Sequence, residues 1–221
     1  MKFFLDTANI AVIERWESLG VVSGVTTNPS IIAKTGRDHA SVIADICAVV
    51  SGPVSAEVIA LEAEAMVLEG KALHNIARDK VVVKLPLTFE GLKACNLLTR
   101  EGIPVNVTLC FSPAQALLAS RAGATYISPF VGRLDDIGED GVGLIRQMRQ
   151  IFDRIEEGHR SMILAASLRH KEHVVDVALA GADVATVPPV VMDGLLVHPL
   201  TDRGLEIFMQ DWQRAQQGIN P

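Results

Sequence analysis

Cysteine is scarce in this 221-residue sequence. Cys47, Cys95 and Cys110 form an odd set with no CxxC spacing, which excludes a disulfide framework or a zinc ribbon and suits a reducing compartment. No apolar run approaches the roughly 18 residues that a membrane-spanning helix needs. The apolar start, Phe3-Phe4-Leu5, is ended by Asp6 and is too short for a signal peptide. The expectation is a cytoplasmic protein with no membrane partner. There is no Ser/Gly-rich linker, no block of like charge and no internal repeat, so the chain reads as one domain. An excess of positive charge is missing too. Against 26 Asp and Glu there are 20 Lys and Arg, a formal net charge of −6. Nucleic acid is therefore not an expected partner, because a phosphate backbone needs a basic face. A small anionic substrate remains open, since a few well-placed cations suffice locally.

What is present is apolar and alternating. Hydrophobic residues make up 49% of the chain, which excludes a disordered polymer. Short β-rich runs fall at about 2–6, 23–27, 54–58, 81–85, 104–109, 125–129, 161–166 and 183–187. Helical patterns lie between several of them, at 61–79 (Leu61, Ala65, Leu68, Leu73 and Ile76 as the apolar stripe), 111–122 and 170–180. Gly102, Gly123 and Gly181 stand where helix C-terminal caps are expected. Alternation implies parallel strands with helical crossovers. Eight such units in this length predict a closed (β/α)8 barrel of the α/β class, with a doubly wound sheet as the rival. The runs 81–85 and 161–166 are nearly all apolar, as expected of strands covered on both faces. A last helix over 199–214, with Leu205, Phe208, Met209 and Trp212 on one stripe, must cover the barrel floor or a neighbouring subunit.

Active sites of such barrels gather at the C-terminal ends of the strands. Polar residues stand at those ends in seven consecutive units: Asp6, Thr26-Thr27-Asn28, Glu57, Lys84, Asn106 with Thr108, Ser128 with Arg133, and Ser167 with Arg169. Lys84 is the sharpest of them, a lysine within Val81-Val82-Val83-Lys84-Leu85-Pro86. A buried lysine is costly unless paired or neutral. It reads either as an amine that attacks carbonyls or as a strand-end side chain reaching to water. Asp6 and Glu57 favour the first reading, because imine chemistry needs proton-transfer groups beside the amine. Asn28-Pro29 also suits a helix start, and Asp6 could cap the helix beginning near Asn9. Arg133, Ser167 and Arg169 read either as an anion cradle, with Ser167 opening a helix, or as solvated surface groups. Gly138, Gly141 and Gly143 read as a flexible loop rather than a dinucleotide fingerprint. His170 and His173 lack a third metal ligand, and Cys110 reads as a buried thiol.

Several segments together resemble the transaldolase family. They are Leu5-Asp6-Thr7, Gly24-Val25-Thr26-Thr27-Asn28-Pro29-Ser30, Val83-Lys84-Leu85-Pro86, Asn106-Val107-Thr108-Leu109, Ser128-Pro129-Phe130-Val131-Gly132-Arg133-Leu134-Asp135-Asp136 and Ala165-Ala166-Ser167-Leu168-Arg169. The resemblance runs in order along almost the whole chain. Its length is similar to that of the short subfamily, which holds compact transaldolases and fructose-6-phosphate aldolases. The resemblance implies a Schiff-base lysine on the fourth strand, Lys84. It implies proton transfer by Glu57 through a water held by Thr108, and proton acceptance from the substrate by Asp6. Asn28, Asn106 and Ser128 would bind the dihydroxyacetone unit in a pocket bordered by Thr27 and Phe130. Arg133, Ser167 and Arg169 would hold the phosphate of a sugar-phosphate substrate. It implies no metal and no organic cofactor, and a homo-oligomer, commonly a decamer. Glu57 and Phe130 stand where the aldolases carry glutamine and tyrosine, so transaldolase is expected. Release of free dihydroxyacetone is the alternative, and a non-catalytic sugar-phosphate-binding barrel a remote one.

Overall fold

A computed structural model describes residues 1–155 and 161–216. Eight strands are present among them: β1 Lys2–Asp6, β2 Val22–Thr26, β3 Val54–Glu57, β4 Val81–Pro86, β5 Val105–Cys110, β6 Tyr126–Pro129, β7 Met162–Ala165 and β8 Val184–Val187. The helices are α1 Ile10–Glu17, α2 Pro29–Ala33, α3 His39–Val49, α4 Ala63–His74, α5 Phe89–Arg100, α6 Pro113–Arg121, α7 Val131–Asp135, α8 Gly141–Phe152, α9 Lys171–Leu179, α10 Pro189–Leu196 and α11 Pro199–Gln216. Each strand pairs in parallel with its successor, and β8 returns to pair with β1. This closure excludes the doubly wound sheet and makes the fold a (β/α)8 barrel with an additional C-terminal helix. All eight expected strands are found, with no end displaced by more than one residue.

Strand side chains alternate between the two faces of a sheet, and that period builds the barrel interior in layers. Phe4, Val82, Tyr126, Leu164 and Val184 form a separate buried cluster, in which the Phe4 and Tyr126 rings meet edge to face at 5.9 Å. Two residues further along the same strands stand Asp6, Lys84, Ser128, Ala166 and Thr186. An apolar plug therefore floors a polar layer at the barrel mouth. The opposite faces of the strands, including Leu5, Val25, Ala56, Val83 and Leu85, pack beneath the helices in the main core.

The helices correct three expectations. The buried face of α4 is Ala63, Met66, Gly70 and Leu73. Leu61 and Leu68, expected in its apolar stripe, are 78% and 72% exposed. Small residues take the inward positions because α4 lies close to β4: a Cβ on Gly70 would come within 2.8 Å of Val83 Cγ1. Gly141 and Gly143 belong not to a loop but to the first turn of α8, where the Asp140 side chain accepts from the Gly143 N–H. The α11 helix buries none of its residues against this chain, so it does not cover the barrel floor. Gly102, Gly123 and Gly181 do end helices, with left-handed φ angles of 77°, 95° and 91°.

The Phe4 ring is 1% exposed at the centre of the plug. Phe4→Ala is expected to lower unfolding free energy by about 3–5 kcal/mol, measured as a lower urea midpoint at unchanged slope.

Candidate active site

Strand register assembles the centre of the polar layer. Glu57 pairs with Lys84, and Lys84 with Asn106, across β3, β4 and β5. Lys84 is 5% exposed, so its side chain does not reach to bulk water. Its Nζ lies 2.9 Å from Glu57 Oε2 and donates at 2.9 Å to the Thr27 carbonyl. The carboxylate and the carbonyl offset the cost of burying the ammonium. The Thr27 hydroxyl donates away from Lys84 to the Ser55 carbonyl at 2.8 Å, so Thr27 serves the lysine by its backbone. Asn106 is fully buried. Its amide donates to Ser55 Oγ at 3.1 Å and its carbonyl accepts from Ser128 Oγ at 2.8 Å. Asn106 thus stands behind Ser128, which lines the cavity.

Asp6 faces Lys84 across the mouth. Burial raises its pKa above the usual carboxylate value, partly offset by the Lys84 charge and by a hydrogen bond from Thr26. Thr26 Oγ1 donates to Asp6 Oδ1 at 2.8 Å and contacts Thr186 Oγ1 at 2.6 Å. Asp6 does not cap the next helix; Asn9 does, accepting from the Val12 N–H. Thr108 Oγ1 is buried and bonds to no protein atom among the described residues, which leaves it free to serve a water or substrate hydroxyl. The following residue, Leu109, has a left-handed φ of 61°, where the β5–β6 register shifts between Val107 and Cys110. Such strain in a bulky residue concentrates at functional sites.

The opposite wall is cationic. Arg133 and Arg169 line a cavity of about 200 Å³ together with Asp6, Asn28, Lys84, Thr108, Ser128, Phe130 and Ser167. Asn28 lines this cavity and also caps α2, accepting from the Ile31 N–H at 2.9 Å. The Arg133 guanidinium lies 5.0 Å from the centre of the Phe130 ring, within cation–π range. Arg169 pairs with Asp136 at 2.7 Å. The segments that carry the two arginines pack closely at Gly132, whose N–H donates to the Ser167 carbonyl at 3.0 Å. A Cβ there would lie 2.3 Å from that oxygen and 2.7 Å from Arg169 Nε. Ser167 does not open a helix. It takes a left-handed φ of 60°, and α9 starts later, capped by His170.

His170 and His173 are used structurally. The Arg169 N–H donates to His173 Nδ1 at 3.2 Å, and His173 Nε2 lies 2.9 Å from Asp135 Oδ2. The neutral tautomer with hydrogen on Nε2 satisfies both. Among the described residues no group of three or more His, Cys, Asp or Glu is placed to hold a metal ion. Cys110 is a buried thiol pushed up to about 12 by desolvation. Glu57 was recognisable from its place at a strand end and Asp136 only as part of the segment that follows Ser128, whereas Thr186 and Ser55 were not singled out. The signal for Thr186 was a lone hydroxyl two residues beyond Val184 in an apolar strand.

The chain is similar to known proteins over nearly its whole length. A family model described as Transaldolase/Fructose-6-phosphate aldolase matches residues 3–219. A protein of Parvibaculum lavamentivorans named "Probable transaldolase" is 59% identical over 219 residues, 99% of this chain and 100% of its own. A "Probable transaldolase" of Maricaulis maris is 60% identical with the same coverage. One from Methanococcus maripaludis is 57% identical over 96% of this chain and 98% of its own. No helix among the described residues is long and apolar enough to cross a membrane.

Desolvation and the neighbouring His170 hold the His173 pKa below its ordinary value. Between that lowered value and the unfolded value near 6.5, the unfolded chain binds more protons. Stability contributed by neutral His173 is then present above about pH 6.5 and lost as pH falls through the folded value. Urea midpoints of the wild type are expected to drop between pH 7 and pH 5 more steeply than those of His173→Leu.

Proposed function

The chain belongs to the transaldolase/fructose-6-phosphate aldolase family, and on that premise we propose that it is a transaldolase working through an imine on Lys84. The observation that carries this reading is the Lys84 Nζ, buried and 2.9 Å from Glu57, in one cavity with Asp6 and two arginines. Glu57 takes a proton from the Lys84 ammonium, and the free amine attacks C2 of fructose 6-phosphate. Glu57 returns that proton, and relays a second one from the attached nitrogen, to the carbinolamine oxygen by way of a water held at Thr108, and water leaves as the iminium forms. Asp6 takes the C4 hydroxyl proton while the C3–C4 bond breaks. The bonding pair flows into the iminium to give an enamine, and glyceraldehyde 3-phosphate departs. Erythrose 4-phosphate is the acceptor: the enamine attacks its aldehyde, Asp6 returns the proton, and hydrolysis frees sedoheptulose 7-phosphate from Lys84.

The remaining residues bind. Asn28 and Ser128 hold the hydroxyls of the dihydroxyacetone unit, with Asn106 orienting Ser128 and the Thr27 carbonyl orienting Lys84. Arg133, Arg169 and Ser167 hold the phosphate. The iminium is itself the electron sink, so the reaction needs no metal or organic cofactor. Phe130 has no proton to donate to the enamine, which favours transfer over release of free dihydroxyacetone. The same reading makes this a cytoplasmic enzyme of pentose phosphate interconversion. It acts as a homo-oligomer, for which a decamer is the expected form. The exposed Leu205, Phe208, Met209 and Trp212 on α11 support an oligomer, as does the groove of Val175, Leu195 and Val197 beside α9 and α10.

Borohydride with fructose 6-phosphate is expected to fix a dihydroxyacetone-derived mass on Lys84, seen by peptide mass spectrometry, and Lys84→Met is expected to abolish labelling and turnover. Glyceraldehyde 3-phosphate release should rise sharply on adding erythrose 4-phosphate, and Phe130→Tyr should shift the enzyme towards acceptor-independent cleavage. Wild-type cleavage at its full rate without an acceptor would instead make it an aldolase. Sedimentation velocity is expected to show an oligomer that dissociates when Phe208 and Trp212 are both changed to Ser; a wild-type monomer would refute the assembly.

A further inference from the structure

Two threonine hydroxyls form an ordered path to Asp6 that the reaction above does not use. Thr26 Oγ1 donates to Asp6 Oδ1 at 2.8 Å, and Thr186 Oγ1 lies 2.6 Å from Thr26 Oγ1. A hydroxyl carries one proton. With Thr26 donating to Asp6, the short contact must carry the Thr186 proton towards Thr26. Both threonines are buried, at 2% and 4% exposure. Thr186 reaches this place from β8, two residues above Val184 of the apolar plug, and it also lines the cavity.

We infer that Thr186 is a positioning residue for the aldol step, which acts through Thr26 to orient Asp6 and to stabilise its ionised form. The inference rests on the reading of Asp6 as the group that accepts the C4 hydroxyl proton. With Asp6 ionised, the order of donation is Thr186 to Thr26 to Asp6. When Asp6 takes the proton, both hydroxyls can rotate, so that Asp6 donates to Thr26 and Thr26 to Thr186. The Thr186 proton then turns to the cavity. No heavy atom has to move, so both protonation states of Asp6 stay satisfied during the cycle. The other charged groups around Asp6 are Lys84 on β4 with Glu57 on β3, Arg133 on α7, and Arg169 after β7. Lys34, just after α2, lines neighbouring cavities with Asp6. None of these is altered by a change at Thr186.

The test is the pH profile of transfer from fructose 6-phosphate to erythrose 4-phosphate, read with Thr186→Val, Thr186→Ala and Thr186→Ser. Loss of one neutral hydrogen bond should lower kcat by about 3- to 10-fold in the Val and Ala variants, with KM within about 2-fold. The acid limb of kcat/KM should move to higher pH, because a carboxylate with weaker hydrogen-bond support binds its proton more tightly. Borohydride labelling of Lys84 should persist in both variants, which shows a folded site with its imine step intact. Thr186→Ser should restore most of the rate and the wild-type acid limb. Asp6→Asn separates the two claims. If Asp6→Asn keeps wild-type turnover, the role of Asp6 itself is wrong. If Asp6→Asn is inactive while Thr186→Val and Thr186→Ala keep the wild-type kcat and acid limb, Asp6 stands and the threonine path is overturned. A loss in Thr186→Val that Thr186→Ser does not rescue would overturn it as well.

Discussion

The fold has to bury an ammonium group, and the arrangement of its mouth follows from that constraint. Lys84 sits on a strand that is apolar on both faces, where an unpaired charge would cost several kcal/mol. The barrel solves this by register. Glu57 on β3 lies directly opposite Lys84, and the chain leaving β2 turns the Thr27 carbonyl to the same nitrogen. Three strands are thereby committed to one atom. Such a pair adds little stability of its own, since replacing buried ion pairs by apolar groups is often neutral or better. It keeps a protonatable acid in contact with the amine.

Around that pair the interior separates into two layers with different duties. Phe4, Val82, Tyr126, Leu164 and Val184 exclude water below. Asp6, Ser128, Thr108 and Thr186 supply hydrogen-bonding groups above. The two-residue strand period links the layers, so that one strand provides both a floor residue and a working residue. Low solvent access strengthens each electrostatic contact in the upper layer. It also raises the Asp6 pKa, which fits the proton exchange proposed for it.

The charge of the mouth is local and opposes the net charge of the chain. A chain of net charge −6 presents Arg133 and Arg169 together on one wall. The meeting depends on backbone packing rather than on charge. Gly132 leaves no room for a side chain beside Ser167 and Arg169, and Ser167 accepts a strained φ to let the chain pass. Asp135 and Asp136 then steady the loop through His173 and Arg169, so the acidic pair after Arg133 supports the cationic wall.

Much of this was legible in the sequence because it depends on local periods. Alternating β-rich and helical runs determined eight parallel strands, and a lysine among valines marked the strand at the centre of the candidate site. The C-terminal caps at Gly102, Gly123 and Gly181 and the cap at Asn28 followed from residue type alone. Helix faces were less legible where close approach replaced large side chains with small ones, as at Ala63 and Gly70 of α4. The site partners were decided only by tertiary structure. Nothing local links Thr186 to Thr26, 160 residues away, or Asn106 to Ser55 and Ser128. Those contacts exist because the barrel closes β8 onto β1 and fixes the stagger of its strands. Hydrogen-bond geometry across a closed sheet depends on that stagger, which no window of sequence contains.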